Sequence, residues 1–199
     1  HHGKTPPCAD ALIAAGVARV VIGIEDPDAQ VAGQGIERLL AAGVEVTVGD
    51  RSDEIRLQLA PYLKHRSTGR PWVVLKLASS LDGRTAAPDG SSQWITGGAA
   101  RADAHQLRAE SDAIVVGAGP VRADDPSLTV RHVEGRSPLR VVLGMAPAGS
   151  KVLPALEFQG ELTDLLTDLG ERGILQVLVE GGATVAGASY KSHSRCLMS

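Results

Sequence analysis

Two groups of residues in this sequence could take part in chemistry, and the first is a cysteine near the amino terminus. Cys8 follows Pro6-Pro7 and stands where a helical pattern begins. The positive end of a helix dipole favours the thiolate, which is the form of cysteine that binds metals. A single cysteine is more often a small buried apolar residue, so position alone allows Cys8 to be either a metal ligand or a structural residue.

The second group consists of glycines that follow apolar, strand-like runs. Gly117-Ala118-Gly119 follows one such run, and Gly181, Gly182 and Gly187 surround the turn after another. Glycine lets backbone amides approach a diphosphate closely, and a helix N-terminus favours the negative charge of that group. Glycines at these places also serve as plain turn residues, so they allow a nucleotide site without requiring one.

Two arginines extend this candidate nucleotide site. Arg108 and Arg131 suit a sugar phosphate, because a guanidinium can bind two phosphate oxygens at once. Each arginine could equally be a solvated surface charge. The residues by themselves leave both interpretations open.

Strands and helices alternate along the chain and must position these groups. The pattern predicts helices at 10–18, 35–42, 50–69 with an interruption near Pro61, 98–108 and 162–169, and strands at 19–24 (buried), 44–48, 72–78, 113–116, 140–143 and 176–179. Such alternation predicts an α/β fold with parallel strands, in which ligands bind at the carboxyl ends of the strands. The last ten residues, 190–199, show neither a period nor core apolars, and we expect a frayed end there.

The composition is that of an ordinary soluble protein. Of the 199 residues, 43% are hydrophobic and 22% are charged, with a net charge of −3. We expect no nucleic-acid partner, because neutralising phosphates needs clustered Lys and Arg. No apolar run approaches the roughly 20 residues of a membrane span, and the amino terminus has no signal-peptide core, so we expect a cytoplasmic chain without a membrane partner. Two cysteines give no support for a disulfide framework.

Several longer strings resemble one family. HHGKTPPC at 1–8, followed by ADALIAAGVARVVIGIEDPD and VAGQGIERLLAAGVEV, resembles the deaminase half of the RibD/RibG family of bifunctional riboflavin-biosynthesis deaminase/reductases. The reductase half is similar to LKLASSLDGRTA at 75–86, SQWIT at 92–96, RAESDA at 108–113, VRADDPSLTVR at 121–131 and VEGGAT at 179–184. The resemblance covers roughly residues 1 to 189. Several motifs in the same order argue against coincidence.

The resemblance implies a two-part organisation. It implies the end of a cytidine-deaminase-like three-layer α/β domain at 1–69, an incomplete dihydrofolate-reductase-like α/β domain at 70–189, and a tail at 190–199 that lies outside the family. It also implies a small-molecule phosphoribosyl-pyrimidine substrate, NADPH as a cofactor and, in the complete family member, Zn²⁺. The family forms homo-oligomers, and the resemblance leaves the oligomeric state of this chain open.

The deaminase half of the family acts on 2,5-diamino-6-ribosylamino-4(3H)-pyrimidinone 5′-phosphate. A His and two cysteines hold zinc, whose bound water attacks the substrate, and a Glu two residues after the His moves protons. By resemblance, Cys8 matches the second zinc cysteine, Lys4 and His1 match positions that line the substrate site, and Asp28 falls where many members have Asn.

This chain departs from the deaminase pattern. The H-x-E motif and the first zinc cysteine would lie upstream of residue 1, so we expect a chain that is truncated at both ends and lacks both features. A catalytic zinc needs three protein ligands and an open position for water. We therefore expect no deamination by this chain and no retained zinc.

The reductase half implies a second set of site residues. The resemblance places at the substrate Ser92, Arg108, Leu128, Arg131 and Glu180. It places at NADPH Ala78, Trp94, Asp124, Gly182, Ala183, Thr184, Val185, Ala186, Gly187 and Ala188. Lys76 could stabilise charge as hydride reaches the ribosyl carbon, or it could be structural. Pro120 stands where the family usually has a Thr that contacts NADPH, and it lacks both a hydroxyl and a backbone N–H.

Three functions compete on these observations. The first is reduction of 5-amino-6-(5-phosphoribosylamino)uracil to its ribityl form with NADPH. The second is a non-catalytic fragment that binds at most a nucleotide or a partner chain, because the family's sheet continues after residue 188 and we expect an unpaired sheet edge here. The third, a related reductase of another pterin or pyrimidine, is disfavoured by the deaminase-like residues.

Overall fold

The computed structural model describes residues 7–28, 31–85, 95–180, 185 and 187, and the backbone of 195–198. The chain divides into two compact units, His1–Thr68 and Gly69–Ser199. No helix within these described ranges is long and apolar enough to cross a membrane.

The first unit alternates helices and strands. Its elements are α1 (Cys8–Ala14), β1 (Arg19–Ile22), α2 (Gln34–Ala41), β2 (Glu45–Val48), α3 (Ser52–Gln58) and α4 (Ala60–Thr68). The two strands run parallel, in register from Arg19 opposite Glu45 to Ile22 opposite Val48. The predicted parallel pair is therefore confirmed. The predicted interruption near Pro61 is confirmed too, because α3 ends at Gln58 and Pro61 lies in the first turn of α4, where its missing N–H is tolerated.

The prediction that 19–24 is a buried strand was wrong. Val20 and Val46 pack against a small core of Ala9, Leu39 and Val44, whereas Val21 is 51% exposed. Successive side chains of a strand point to opposite faces, so a run of β-branched residues shows strand propensity without showing that both faces are covered.

The second unit is built on a parallel sheet. Its elements are β3 (Trp72–Leu77), α5 (Gly98–Ala109), β4 (Ala113–Gly117), α6 (Ala118–Asp124), β5 (Leu139–Leu143), β6 (Leu156–Phe158), α7 (Leu162–Glu171), β7 (Gln176–Glu180) and β8 (Arg195–Met198). Among the described residues, the strand order is β6-β5-β4-β7-β3-β8, and every pairing is parallel. Strand β7 thus lies between β3 and β4, which both precede it in the chain.

Both faces of this sheet are covered. Val115 and Val179 point to the face that packs against Leu165 and Leu169 of α7, and all four side chains are fully buried. The alternate residues of the strands face the other side, where they pack with Leu107 of α5, Val121 of α6 and Leu128. Burying one such aliphatic side chain contributes about 1.5–3 kcal/mol. The continuous apolar runs of β4 and β7 follow from this two-sided burial.

The prediction of a frayed end at 190–199 was wrong for part of the tail. The backbone of Arg195–Met198 forms β8, which pairs with β3 from Val74 opposite Arg195 to Leu77 opposite Met198. The outer edge of β3 is therefore paired, against the expected unpaired edge. Edge pairing uses backbone N–H and C=O groups, so it needs no apolar period in the added segment. Helix α6 and strand β6 were not predicted, because Gly119 and Pro120 interrupt the helical pattern of α6 and because β6 has only three residues.

Helix α7 approaches the backbone that leads into β3 very closely. A Cβ added at Gly170 would lie 2.0 Å from the carbonyl oxygen of Gly69. Glycine is therefore required at this point of α7, although alanine is the better helix former.

We expect the substitution Gly170→Ala to destabilise the second unit by about 1–3 kcal/mol, because the helix must move away from the Gly69 carbonyl. Urea unfolding followed by tryptophan fluorescence measures this, since both tryptophans of the chain, Trp72 and Trp94, belong to this unit. The matched control is Gly119→Ala in α6, where a Cβ meets nothing within 4 Å. Equal stability of the two variants would contradict the close approach.

Candidate functional site at the carboxyl edge of the sheet

The carboxyl ends of the central strands bring together several residues that the sequence singled out. In the parallel sheet, β3, β4 and β7 all end at the same edge, at Leu77, Gly117 and Glu180. Lys76 of β3 is in register with Glu180 of β7. Neighbouring strands lie about 4.8 Å apart and register partners point to the same face, so Lys76 and Glu180 stand side by side on the face that α5 covers.

Arg108 and Glu180 form a paired, largely buried ion pair at this edge. Arg108 Nε donates to Glu180 Oε1 at 2.6 Å, and Nη2 donates to Oε2 at 2.8 Å. The side chains are only 13% and 11% exposed. The third guanidinium nitrogen of Arg108, Nη1, donates to the carbonyl oxygen of Thr129 at 3.2 Å. The two-donor edge that suggested a phosphate ligand for Arg108 is thus already engaged by Glu180.

Arg131 differs from Arg108 in being exposed. Its Nη1 donates to Thr129 Oγ1 at 2.9 Å and also to Ser127 Oγ. The two hydroxyl groups lie 3.3 Å apart. Neither of these contacts is with a carboxylate. The guanidinium of Arg131 lies beside two hydroxyl groups, which can also form hydrogen bonds with an anion. Arg131 therefore offers a cationic group for a phosphate.

His105 is buried beneath this segment. It lies on α5, three residues before Arg108, and is 7% exposed. Its Nδ1 accepts a hydrogen bond from the backbone N–H of Arg131 at 3.0 Å. A backbone N–H can only donate, so Nδ1 carries no proton and the imidazole is neutral with its proton on Nε2. The ring of His132 stands edge-on to that of His105, with centroids 5.2 Å apart.

Burial lowers the pKa of His105 below its ordinary value of 6.5. The positive charges of Arg108 and Arg131, and the neighbouring His132, lower this pKa further, while Glu180 opposes them. A buried imidazole beside two guanidinium groups is costly to protonate. The neutral form that the hydrogen bond requires is therefore also the form that the surroundings favour.

Leu128 packs into the sheet rather than lying open. It is 3% exposed and belongs to the core on the α5 side. Its φ of 51° is unusual for a leucine, and His132 has a φ of 68°. The segment from Leu128 to His132 thus contains two left-handed residues, a conformation that surrounding contacts must hold in place.

The residues predicted to bind NADPH are only partly described. Ala78 follows directly after β3 and is half-buried, and Asp124 is the last residue of α6. Val185 is buried and Gly187 is exposed. The other residues predicted to bind NADPH lie outside the described residues, and they are Trp94, Gly182, Ala183, Thr184, Ala186 and Ala188. The predicted substrate residues His1, Lys4 and Ser92 also lie outside the described residues.

Gly117 explains how the segment after β7 reaches the end of β4. A Cβ added at Gly117 would lie 3.1 Å from Val185 Cγ2. Glycine lets Val185 pack into the core at this point, and Gly119 in the first turn of α6 leaves open space beside it. The described part of this edge thus leaves open space at Gly119, and the prediction of a nucleotide site there stays a prediction.

The described residues do not form a zinc site. No group of three or more His, Cys, Asp or Glu within the described ranges could hold a metal ion. Cys8 is exposed at the first position of α1. The match of Cys8, Lys4 and His1 to a zinc deaminase stays a prediction.

One expectation about motifs needs correction from the sequence itself. An H-x-E string does occur in this chain, at His132-Val133-Glu134. It lies in the second unit, in the connection between α6 and β5, and not in a helix of the first unit. No H-x-E string occurs within the first unit, His1–Thr68, so the string at 132–134 does not stand where the deaminase motif would be.

The fold and this edge define a parallel α/β domain that carries a buried Arg–Glu ion pair and an exposed arginine near the carboxyl ends of its strands. The family described as the RibD C-terminal domain matches residues 71–193. This chain belongs to that family. The expected α/β fold with a dihydrofolate-reductase-like second domain is confirmed.

Relatives extend the similarity over nearly the whole chain. The riboflavin biosynthesis protein RibD of Chlamydia trachomatis is 44% identical over 96% of this chain and 61% of its own length. RibD of Mycobacterium tuberculosis is 46% identical over 96% of this chain and 59% of its own length. The chain thus spans about three fifths of the length of these relatives.

Solved structures agree with this assignment. A diaminohydroxyphosphoribosylaminopyrimidine deaminase/5-amino-6-(5-phosphoribosylamino)uracil reductase from Thermotoga maritima superposes with a TM-score of 0.88 at 35% identity, over 96% of this chain and 62% of that one. RibD of Acinetobacter baumannii gives a TM-score of 0.87 at 39% identity, with the same coverage of the two chains.

Sequence reasoning missed three residues of this site. His105, Ser127 and Thr129 all bond to Arg131, yet none was predicted to take part. The signal for His105 was its spacing of three residues from Arg108, which puts both side chains on one face of a helix. Ser127 and Thr129 flank Leu128 in a segment without regular structure, so no helical or strand spacing marks them in the sequence.

We expect Glu180→Gln to lower the free energy of unfolding by about 3–5 kcal/mol, because it leaves the buried Arg108 guanidinium without its counter-charge. Urea unfolding followed by tryptophan fluorescence measures the loss. The control is Asp168→Asn, which breaks the exposed pair with Arg172, also two-pronged at 2.8 and 3.2 Å. A loss at Glu180 no larger than that of the control would contradict the role of burial.

The lowered pKa of His105 predicts how stability depends on pH. The unfolded chain takes up a proton at this residue more readily than the folded chain, so the stabilisation is complete above pH 6.5 and is lost as the pH falls through the folded pKa. We expect the free energy of unfolding to fall as the pH drops from 7.5 to 5, and His105→Asn, which keeps an acceptor that does not titrate, to flatten this fall. An unchanged slope in the variant would contradict the assignment.

Proposed function

We propose that the second unit of this chain is an NADPH-dependent reductase domain that converts the ribosyl group of 5-amino-6-(5-phosphoribosylamino)uracil to a ribityl group. The observation that carries the proposal is the placement of Arg108, Arg131, Lys76 and Glu180 at the carboxyl edge of a sheet that belongs to the RibD C-terminal domain family. Two relatives carry the name of a riboflavin biosynthesis protein, and one solved structure carries the name of the reductase itself.

Arg131 is the residue we assign to the substrate phosphate. It is exposed, and among the described residues its guanidinium bonds the hydroxyl groups of Ser127 and Thr129. These two bonds hold the guanidinium in one position. A positioned arginine loses little rotamer entropy when a phosphate arrives. Leu128, next to both hydroxyl residues, is buried in the core and anchors this segment from behind.

Glu180 and Lys76 are assigned to the ribosyl group. Arg108 binds both carboxylate oxygens of Glu180, so this side chain keeps one orientation, and its remaining acceptor capacity can bond sugar hydroxyls. Arg108 acts on the substrate through Glu180 in this arrangement. Lys76, beside Glu180 in the register of the two strands, brings a positive charge to the same edge, where it would counter negative charge on the ribosyl oxygen.

NADPH, when bound, supplies the hydride, and the task of the protein is to orient it. The groups proposed to hold it are Ala78, Trp94, Asp124 and the residues from Gly182 to Ala188. The open space at Gly119 and the close packing of Val185 on Gly117 support this placement. Pro120 offers neither a hydroxyl nor an N–H, so any contact that a Thr would make there must come from another residue.

The first experiment is an NADPH titration of the purified chain by fluorescence, with zinc assayed on the same sample. We expect saturable binding, because Gly119 leaves open space at the carboxyl end of β4 and the family resemblance implies an NADPH site. A folded sample that binds no NADPH would overturn the proposal and favour a non-catalytic fragment. Zinc bound in stoichiometric amount would favour a metal site that includes residues outside the described ranges.

We expect Arg131→Ala to raise the KM for the phosphoribosyl substrate roughly ten- to a hundredfold, because a hydrogen-bonded charge contact to the phosphate is lost. The affinity for NADPH should stay unchanged. The matched control is Arg136→Ala, an exposed arginine in the same connection, which should leave the KM as it is. Equal effects of both substitutions would indicate a general charge effect and contradict the assignment of Arg131.

A further inference from the structure

The segment that carries Arg131 has little regular structure of its own. Residues 125–138 form neither helix nor strand, and three non-glycine residues of this stretch, Asp125, Leu128 and His132, have left-handed backbone conformations. A residue in such a conformation keeps it only when neighbouring contacts hold the chain. The position of the Arg131 guanidinium therefore depends on what anchors the backbone around it.

Three hydrogen bonds anchor this backbone among the described residues. Arg108 Nη1 donates to the carbonyl oxygen of Thr129, and the N–H of Val130 donates to Ser137 Oγ at 3.0 Å. The third bond runs from the N–H of Arg131 to Nδ1 of His105. Among the described residues, His105 is thus the side chain that forms a hydrogen bond with the backbone of Arg131 itself. His105 belongs to α5, which packs on the sheet.

We propose that His105 is a positioning residue for substrate binding: its neutral Nδ1 holds the backbone of Arg131 so that the guanidinium faces the substrate phosphate. This inference rests on the proposed function for its effect on catalysis, while the anchoring itself is a property of the chain. His105 does not touch the substrate in this scheme and acts through Arg131 alone.

The surroundings of His105 make the anchor sensitive to protonation. The charged and titratable groups that face it are Arg108 on its own helix, Arg131 and His132 on the segment above, and Glu180 at the end of β7. A proton on Nδ1 would remove the acceptor and place a third positive charge beside two guanidinium groups. Acidification should therefore release Arg131 before it affects the core.

Two variants separate the acceptor from the ring. His105→Asn keeps an acceptor of similar reach without titration, and His105→Phe keeps a ring of similar size without an acceptor. His132→Asn is the matched control, because it removes the neighbouring imidazole and suits the left-handed backbone at that position.

The direct readout is the backbone amide of Arg131, followed by NMR in the full chain. We expect its hydrogen exchange to be slow in the wild type near pH 7.5, slow in His105→Asn and His132→Asn, and at least tenfold faster in His105→Phe. In the wild type, protection of this amide should fall on acidification while amides of β4 and β7 stay protected. Unchanged protection in His105→Phe would overturn the proposal whether or not the chain is an enzyme.

The kinetic readout is the KM for the phosphoribosyl substrate as a function of pH. We expect His105→Phe to raise this KM about three- to tenfold, the effect of one lost hydrogen bond, with unchanged NADPH affinity and with recovery in His105→Asn. The rise of KM toward acid pH should be weaker in His105→Asn than in the wild type. A wild type that binds no NADPH refutes the proposed function, whereas an active wild type with an unaltered KM in His105→Phe refutes this inference alone.

Discussion

The ion pair between Arg108 and Glu180 ties the candidate site to the fold. Charges that are 13% and 11% exposed would be costly if unpaired, so helix α5 and the end of strand β7 must keep one relative position. Nη1 of Arg108 donates a hydrogen bond to the carbonyl oxygen of Thr129. His105, one turn earlier in α5, accepts a hydrogen bond from the N–H of Arg131. The face of α5 that carries His105 and Arg108 therefore positions Glu180 and the backbone around Arg131.

This arrangement follows from burying a parallel sheet on both faces. With apolar side chains filling both sides of β4 and β7, polar groups can leave the core only at the ends of the strands. Connections after the strands then carry the reactive side chains, as in other open α/β folds. The unusual backbone at Leu128 and His132 lies in such a connection, where surrounding contacts rather than a ladder determine the conformation.

Much of the fold could be predicted from the sequence, because the apolar periods of α5, β4, β7 and α7 are strong and local. The covered faces of β1 and the pairing of Arg195–Met198 could not, because burial and edge pairing depend on distant parts of the chain. For the site, resemblance pointed to Arg108, Arg131 and Glu180, yet it gave no sign that Arg108 binds Glu180. The role of His105 depends on a contact across 26 residues, which no local pattern encodes.

The strand order has a consequence for how the protein is made. Strand β7 lies in the middle of the sheet, between β3 and β4, although 98 residues separate it from the end of β3 and 58 residues separate it from the end of β4. On the ribosome, the apolar edges of β3 and β4 therefore remain unmatched until Gln176–Glu180 has emerged. Sheets that depend on such late, long-range pairing fold slowly and expose sticky intermediates. The nascent chain should thus need chaperone protection until β7 inserts, and the step that closes the sheet also delivers Glu180 to Arg108.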